Sequence, residues 1–166
     1  MQSVTHQKQQ NLYDQDFFGW TEEIVRLLKS QQWHELDLEN LIEEVVDLGK
    51  SQQRALQSSL RLVLMHLLKW QYQPERRSHS WEVTITRERL NLDELLQESP
   101  SLQRFLQDDQ WVNATYQRSR REAMVETSLG EEIFPSTCPF TTAEIVDLDF
   151  YPDSEEASFS PESAET

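Results

Sequence analysis

Residues 66–81, HLLKWQYQPERRSHSW, bring together side chains that could take part in acid–base or anion chemistry. The stretch contains two histidines, one lysine, two arginines and two tryptophans. Histidines exchange protons near neutral pH, and cations beside the start of a helix can bind an anion. The same residue types would also suit a junction where two helices meet, so both interpretations must be weighed.

The basic residues of this stretch indicate a candidate anion site. Ser78, His79 and Ser80 precede a predicted helix, whose free amide groups favour negative charge. The candidate polar cluster consists of His66, Lys69, Arg76, Arg77, Trp81 and Arg87, and Arg89 lies nearby in sequence. Phosphate would suit these groups, but the bases could equally pair with acidic residues of the same chain. An RNA-cleaving site would also require a histidine within hydrogen-bond reach of a nucleophile or base.

His66 lies in the segment LRLVLMHLL, which is apolar on all sides. A helix of that kind is normally buried, and a buried histidine needs a hydrogen-bond partner. We therefore favour a structural role, in which His66 and Trp70 anchor the turn onto the next helix. In that role a carbonyl or carboxylate would satisfy the imidazole. A functional role for His66 stays open as the alternative.

A second set of polar residues lies earlier in the chain, where Glu39, Glu43 and Asp47 follow one another at helical spacing with Glu44 beside them. Carboxylates of this kind hold di-metal centres in four-helix bundles, together with Glu-x-x-His motifs that this chain lacks. On one continuous helix His66 would lie about 34 Å from Glu43 along the axis. We interpret these residues as a solvated acidic face and expect no metal site.

Other catalytic signatures are missing from the sequence. It contains no glycine-rich phosphate loop, nucleophile elbow or H-E-x-x-H motif. Cys138 lies between two prolines, with no neighbouring base to lower its pKa, so we do not expect a catalytic thiol. We predict no catalytic residue and no cofactor.

The elements that must position these residues are predicted to be helices, because only 3 glycines and 6 prolines interrupt the chain. We place four helices at about residues 16–30, 37–73, 81–97 and 101–128. The second helix continues through Gly49, because its apolar stripe keeps the same phase on both sides. The sequence thus predicts an all-α, single-domain bundle of about four helices with one long spine helix and a short irregular C-terminal segment. Tryptophans occur in all four helical regions, which favours core packing over base stacking.

The expected domain covers residues 12–152, and residues 1–11 and 154–166 are predicted to be disordered tails. The net charge is −15, and residues 122–166 contain 12 acids but no base. Such acidity disfavours general binding to nucleic acid or a membrane surface. The longest apolar run, residues 62–68, is far shorter than the roughly 18 residues that a transmembrane helix needs. With a polar N-terminal segment, these features predict a cytoplasmic protein.

Three blocks of the sequence resemble a known family. The blocks LYDQDFFGWTEEIVRLL, LDLENLIEEVVDLGKSQQRALQSSLRLVLMHLLKWQYQPERRSHSW and FPSTCPFTTAEIVDLDFYP are similar in order and spacing to the bacterial, mainly cyanobacterial, domain of unknown function 29. The resemblance implies an all-helical, cytoplasmic, cyanobacterial protein, and it implies no activity. Its patterns draw attention to Glu43, Glu44, His66, Lys69 and Trp81.

Two functional hypotheses follow from the sequence. The first is a non-enzymatic protein-interaction module, whose acidic C-terminal region or tryptophan-lined groove binds a protein partner, for example a basic one. The second is a phosphate- or RNA-directed binding protein or enzyme that uses His66, Lys69, Arg76 and Arg77. The two differ in whether the basic side chains converge on an open site or are bonded within the protein. The oligomeric state is left open.

Overall fold

The computed structural model describes residues 12–153, and this range is helical without any strand, as predicted. The helices are α1 Phe17–Lys29, α2 Leu38–Tyr72, α3 His79–Glu98, α4 Gln103–Leu106, α5 Asp109–Thr127 and α6 Thr142–Val146. Internal packing is concentrated in two compact units, with the boundary between Ser51 and Gln52. The predicted domain range of 12–152 stays a prediction, and the two predicted tails lie outside the described residues.

The N-terminal unit is built around α1. Asp16 caps this helix by accepting a hydrogen bond of 2.9 Å from the amide of Gly19, which satisfies one of the free donors of the first turn. The apolar side chains buried in this unit are Trp20, Ile24, Leu27 and Leu36. Leu41 of α2 packs against them. The N-terminal unit therefore has a small apolar core of its own.

Helix α2 runs for 35 residues and passes through Gly49 without a break, which confirms the predicted spine helix. Its length corresponds to about 50 Å. Asp37 precedes the helix, and its carboxylate accepts a hydrogen bond from the amide of Asn40 at 3.3 Å. The predicted start of the helix is therefore confirmed. No helix within residues 12–153 is both long enough and apolar enough to span a membrane.

The predicted fourth helix, residues 101–128, was wrong as a single element. A short 3₁₀ turn at Pro100–Leu102 and helix α4 come first, and α5 begins only after Asp108. The Asp108 side chain accepts hydrogen bonds from the amides of Gln110 and Trp111, so it starts a new helix where we expected the old one to continue. Helix α5 ends at Thr127 because Ser128, not Gly130, adopts the left-handed conformation with φ 59°.

The C-terminal unit packs the second half of α2 against α3, α5 and the segment that follows α5. The core consists mainly of aliphatic side chains from α2, namely Leu56, Leu60, Val63, Leu64, Leu67 and Leu68. Phe134, Phe140 and Ile145 contribute from the irregular C-terminal segment. Two buried arginines fasten that segment, because Arg89 and Arg120 donate hydrogen bonds to its backbone carbonyl groups. This unit carries the predicted polar cluster.

Candidate functional site

The predicted cluster forms where α2 ends and α3 begins. Pro74 stops the first helix and opens a 3₁₀ turn over Pro74–Arg76. Helix α3 then begins at His79, with Ser78 as its N-cap residue. The Ser78 hydroxyl lies 2.9 Å from the Ser80 hydroxyl and makes no capping bond.

Lys69 is the central cation of the cluster, and it is buried. Its Nζ atom lies 2.6 Å from Oε2 of Glu126, a residue of α5. The same atom lies 4.5 Å from the ring centroid of Trp81, a distance typical of a cation–π contact. The ammonium group is thus held between a carboxylate and an aromatic face, and both partners belong to this chain.

His66 lies one turn before Lys69 on α2 and is also buried. Its Nδ1 atom is 2.9 Å from the carbonyl oxygen of Leu62. Because a carbonyl only accepts, Nδ1 carries the proton, and Nε2 of the neutral ring has a free lone pair. Burial lowers the pKa of His66, and the positive charge of Lys69 lowers it further, although the carbonyl of Leu62 and the charge of Glu126 act in the opposite sense. The ring is therefore neutral at neutral pH.

A second ion pair lies beside this group. Glu88 is buried, and it accepts hydrogen bonds from Arg87 at 2.8 Å, Ser59 at 2.9 Å and Asn91 at 3.1 Å. Burial by itself raises the pKa of the Glu88 carboxyl, but the hydrogen bonds from Arg87, Ser59 and Asn91 outweigh it and hold the pKa below its ordinary value. Arg87 is therefore already bonded to a carboxylate.

The remaining bases of the predicted cluster do not converge on the same point. Arg77 donates a hydrogen bond of 2.9 Å to the carbonyl of Trp70, and its guanidinium lies 4.9 Å from that tryptophan ring. Arg89 is fully buried, where it donates to the carbonyl groups of Ile145 and Phe150. Arg76 is exposed on the turn. The structure thus brings together His66, Lys69, Trp81 and Arg87 and separates the other three bases from them.

Sequence reasoning missed Glu126, the carboxylate that neutralises Lys69. It lies 57 residues away along the chain, on a helix whose predicted limits were also wrong. The only available signal was its place in the acidic region that begins at residue 122, which we treated as a whole. The roles of Arg89 and Arg120 were missed as well, because backbone carbonyls exist at every residue and leave no pattern.

The acidic face of α2 is only partly free. Glu39 and Glu43 are exposed, as expected for a solvated face. Glu44 instead accepts a hydrogen bond of 2.5 Å from the hydroxyl of Tyr13. This bond, with smaller contributions from burial and from the charges of Glu43 and Asp14, raises the pKa of Tyr13 to about 12. Within residues 12–153 no group of three or more histidine, cysteine or acidic side chains is arranged to hold a metal ion.

The chemistry available to the cluster is limited. The free lone pair at Nε2 of His66 could accept a proton, whereas the hydroxyl of Ser59, two helical turns earlier on α2, donates to Glu88. Cys138 is half-buried, and burial raises the pKa of its thiol, so it is a weak nucleophile. The arrangement is that of a bonded junction between helices.

The sequence profile of the family described as domain of unknown function DUF29 matches residues 12–151, most of the chain. The chain belongs to this family. The match covers both compact units of the DUF29 domain and confirms the family that the sequence blocks indicated. Comparison with curated proteins and with solved structures finds no match to it.

A different kind of surface lies in the N-terminal unit of this DUF29 domain. Among residues 12–153, ten of the fourteen large apolar side chains that are exposed belong to residues 12–51. They are Phe17, Phe18, Val25, Leu28, Trp33, Leu38, Ile42, Val45, Val46 and Leu48. Their concentration in about a quarter of the chain makes this unit the second candidate site. Trp33, which we expected in the core, is among them.

Proposed function

We propose that this DUF29 protein is a non-enzymatic protein-interaction module, and that its N-terminal unit carries the contact surface. The observation behind this proposal is the set of exposed apolar side chains on α1 and on the first half of α2, hereafter the apolar surface. Single exposed apolar residues are ordinary, but contiguous apolar patches on a monomer mark sites of interaction. Leu48, with 69% of its surface exposed, and Phe18, with 72%, are far from core burial.

The state of the basic residues supports this role over the phosphate or RNA alternative. Lys69 and Arg87 are paired with carboxylates, and Arg77 is bonded to a backbone carbonyl. Nucleic-acid binding at physiological salt depends on several cations that are free to contact phosphates. The net charge of −15 opposes it further and makes a basic protein surface a suitable partner. We assign the role to the cytoplasm, as the sequence predicts.

Site-specific photocrosslinking tests the proposal. The photoreactive amino acid benzoylphenylalanine replaces Ile42 on the apolar surface or, as the control, Glu94, which is exposed on α3. Illumination in the native host, which we expect to be a cyanobacterium, should give discrete protein adducts from position 42 and not from position 94. Adducts at neither position, or equally at both, would contradict the proposed contact surface.

Titration with labelled single-stranded RNA tests the alternative. We expect negligible binding by the full chain at physiological salt, since few free cations are available. A second titration uses the variant with Arg76→Glu and Arg77→Glu. Submicromolar binding that this double substitution abolishes would favour the nucleic-acid role instead.

A further inference from the structure

Gly49 occupies a place in α2 where the described chain gives no reason for a glycine. The residue is exposed, and a Cβ atom added to it would have no atom within 4 Å. Its φ is not positive, so no unusual backbone conformation requires glycine either. Glycine is less favourable than alanine inside a helix. A glycine is often used where another backbone approaches closely, and such an approach has to come from outside residues 12–153.

Three of the five exposed apolar residues of α2 lie on the same side of the helix as this glycine. At about 100° per residue, Leu38, Ile42, Val45 and Gly49 fall within roughly 60° of one another around the axis. Their spacings of four, three and four residues are those of a seam between packed helices. Ile42 is 61% exposed and Val45 60% exposed, so the seam is open to solvent. We call these four residues the open seam.

The remaining segments of this sequence are poorly suited to cover the open seam. Residues 1–11, MQSVTHQKQQN, contain only two aliphatic side chains of any size, Met1 and Val4. Residues 154–166 contain one large apolar residue, Phe159, together with four glutamates. If this segment covered the seam, its glutamates would lie close to the exposed carboxylates of Glu39 and Glu43, and like charges repel.

A second copy of the chain can cover the open seam. We infer that two copies associate through the open seam, with the two α2 helices antiparallel and crossing level with Asp47, so that Gly49 of each copy faces Val45 of the other. This inference rests on the proposed function and names its partner. A two-fold axis near Asp47 brings Val45 of one copy level with Gly49 of the other, so that each valine side chain meets the space left by a glycine. A parallel pair would instead place Val45 beside Val45 and Gly49 beside Gly49, which leaves that space unfilled.

The area of the seam sets the expected strength. The seam is shorter than a standard interface, which buries about 800 Å² on each partner, unless apolar residues of α1 join it. We therefore expect a dimer with a dissociation constant on the order of micromolar.

Sedimentation velocity over a range of chain concentrations tests the association. The full chain should shift from a monomer of 19.7 kDa to a dimer as its concentration rises. Gly49→Leu should weaken the dimer at least tenfold, because the new side chain blocks the crossing, while the melting temperature stays equal or rises. Ser51→Leu is the matched control, since it adds the same side chain at an exposed position of α2 away from the seam, and it should leave dimerisation unchanged.

Disulfide crosslinking tests the orientation in a Cys138→Ser background. A mixture of Val45→Cys and Gly49→Cys chains should give a mixed crosslinked dimer on mild oxidation. Leu38→Cys alone should not crosslink, because an antiparallel pair holds the two positions about 27 Å apart along the axis. Efficient crosslinking of Leu38→Cys would show a parallel pair and overturn the proposed orientation.

The outcomes separate this inference from the proposed function. A chain that stays monomeric up to hundreds of micromolar overturns the inference, and adducts with other proteins from position 42 would still support an interaction module. A dimer that Gly49→Leu leaves intact also overturns it, because the contact then lies elsewhere. A monomeric chain without any adduct contradicts both.

Discussion

The two halves of helix α2 carry one apolar stripe in the same phase, but the stripe is buried in one half and exposed in the other. In the C-terminal half, Leu56, Leu60 and Val63 are completely buried. In the N-terminal half, Leu38, Ile42 and Val45 keep half or more of their surface exposed. The apolar pattern of a helix therefore predicts which face is suited to burial. It does not predict whether residues of the same chain will bury that face.

The polar residues show a matching contrast. Along the buried half of α2, Lys69 is paired with Glu126 and Ser59 donates to Glu88. Along the exposed half, Glu39 and Glu43 face solvent. Polar groups that are buried must be bonded, whereas exposed ones remain available to a partner. The polar groups of the second half are thus bonded within the protein, whereas two carboxylates of the first half are exposed.

Removing the guanidinium of Arg89, which is buried, should lower the stability of the protein more than any other change proposed here. Arg89→Ala leaves the carbonyl groups of Ile145 and Phe150 without their donor in a buried place, which should lower the free energy of unfolding by about 3–5 kcal/mol. Chemical denaturation measures the change. Arg76→Ala is the control, because Arg76 is exposed on the turn and should cost less than about 0.5 kcal/mol.

Truncating one leucine in each half of α2 should measure directly how much burial in that half contributes to stability. Leu60→Ala removes a fully buried side chain and should destabilise the protein by about 2–5 kcal/mol. Leu48→Ala removes the same group from an exposed position, and we expect a change within about 0.5 kcal/mol at concentrations where the chain is monomeric. Equal losses measured by urea denaturation would show that the two halves do not differ as described.

Acid should lower the free energy of unfolding because it protonates the buried His66. Burial lowers the pKa of this histidine in the folded protein below its ordinary value of 6.5, so the unfolded chain binds the proton more tightly. The stability that the neutral ring contributes is complete above pH 6.5 and is lost as the pH falls towards the folded pKa. The slope due to this group is at most about 1.4 kcal/mol per pH unit. Unfolding free energies between pH 7 and 5 should therefore fall more steeply for the wild type than for His66→Gln.

Replacing Gly49, in the exposed half of α2, with alanine should have the smallest effect on stability. Nothing within 4 Å opposes the added methyl group, and alanine favours the helix, so the monomer should gain up to about 1 kcal/mol. Thermal unfolding of dilute protein measures the gain. A loss of stability would mean that the glycine serves the fold of a single chain and would remove the main reason for the open seam.

Much of the fold could be predicted from the sequence, because local signals specify it. The apolar phase carries α2 through Gly49, as expected, and α1 begins close to the predicted residue 16. The interruption before α5 was missed, since an aspartate within a polar stretch does not show whether its carboxylate will cap the next turn. The burial of His66 was predicted from its apolar neighbours and was confirmed.

The candidate site was less predictable because its bonds join distant parts of the chain. The pairing of Lys69 with Glu126 depends on how α2 and α5 pack, and no local spacing encodes it. Arg89 was grouped with the possible anion ligands because charge was the only property visible in the sequence. Its acceptors are carbonyl groups up to 61 residues further on. Tertiary packing decided which cations were free.

The two buried arginines also have a consequence for the order of folding. Arg89 and Arg120 are synthesised on α3 and α5 before the carbonyl groups that they bind at residues 131–150 have emerged. Both guanidinium groups must stay hydrated until that segment arrives, because a bare buried charge is strongly unfavourable. We expect pulsed hydrogen exchange to show that the helices gain protection before the segment does. A segment synthesised after the helices would then be the part that removes water from these two buried guanidinium groups.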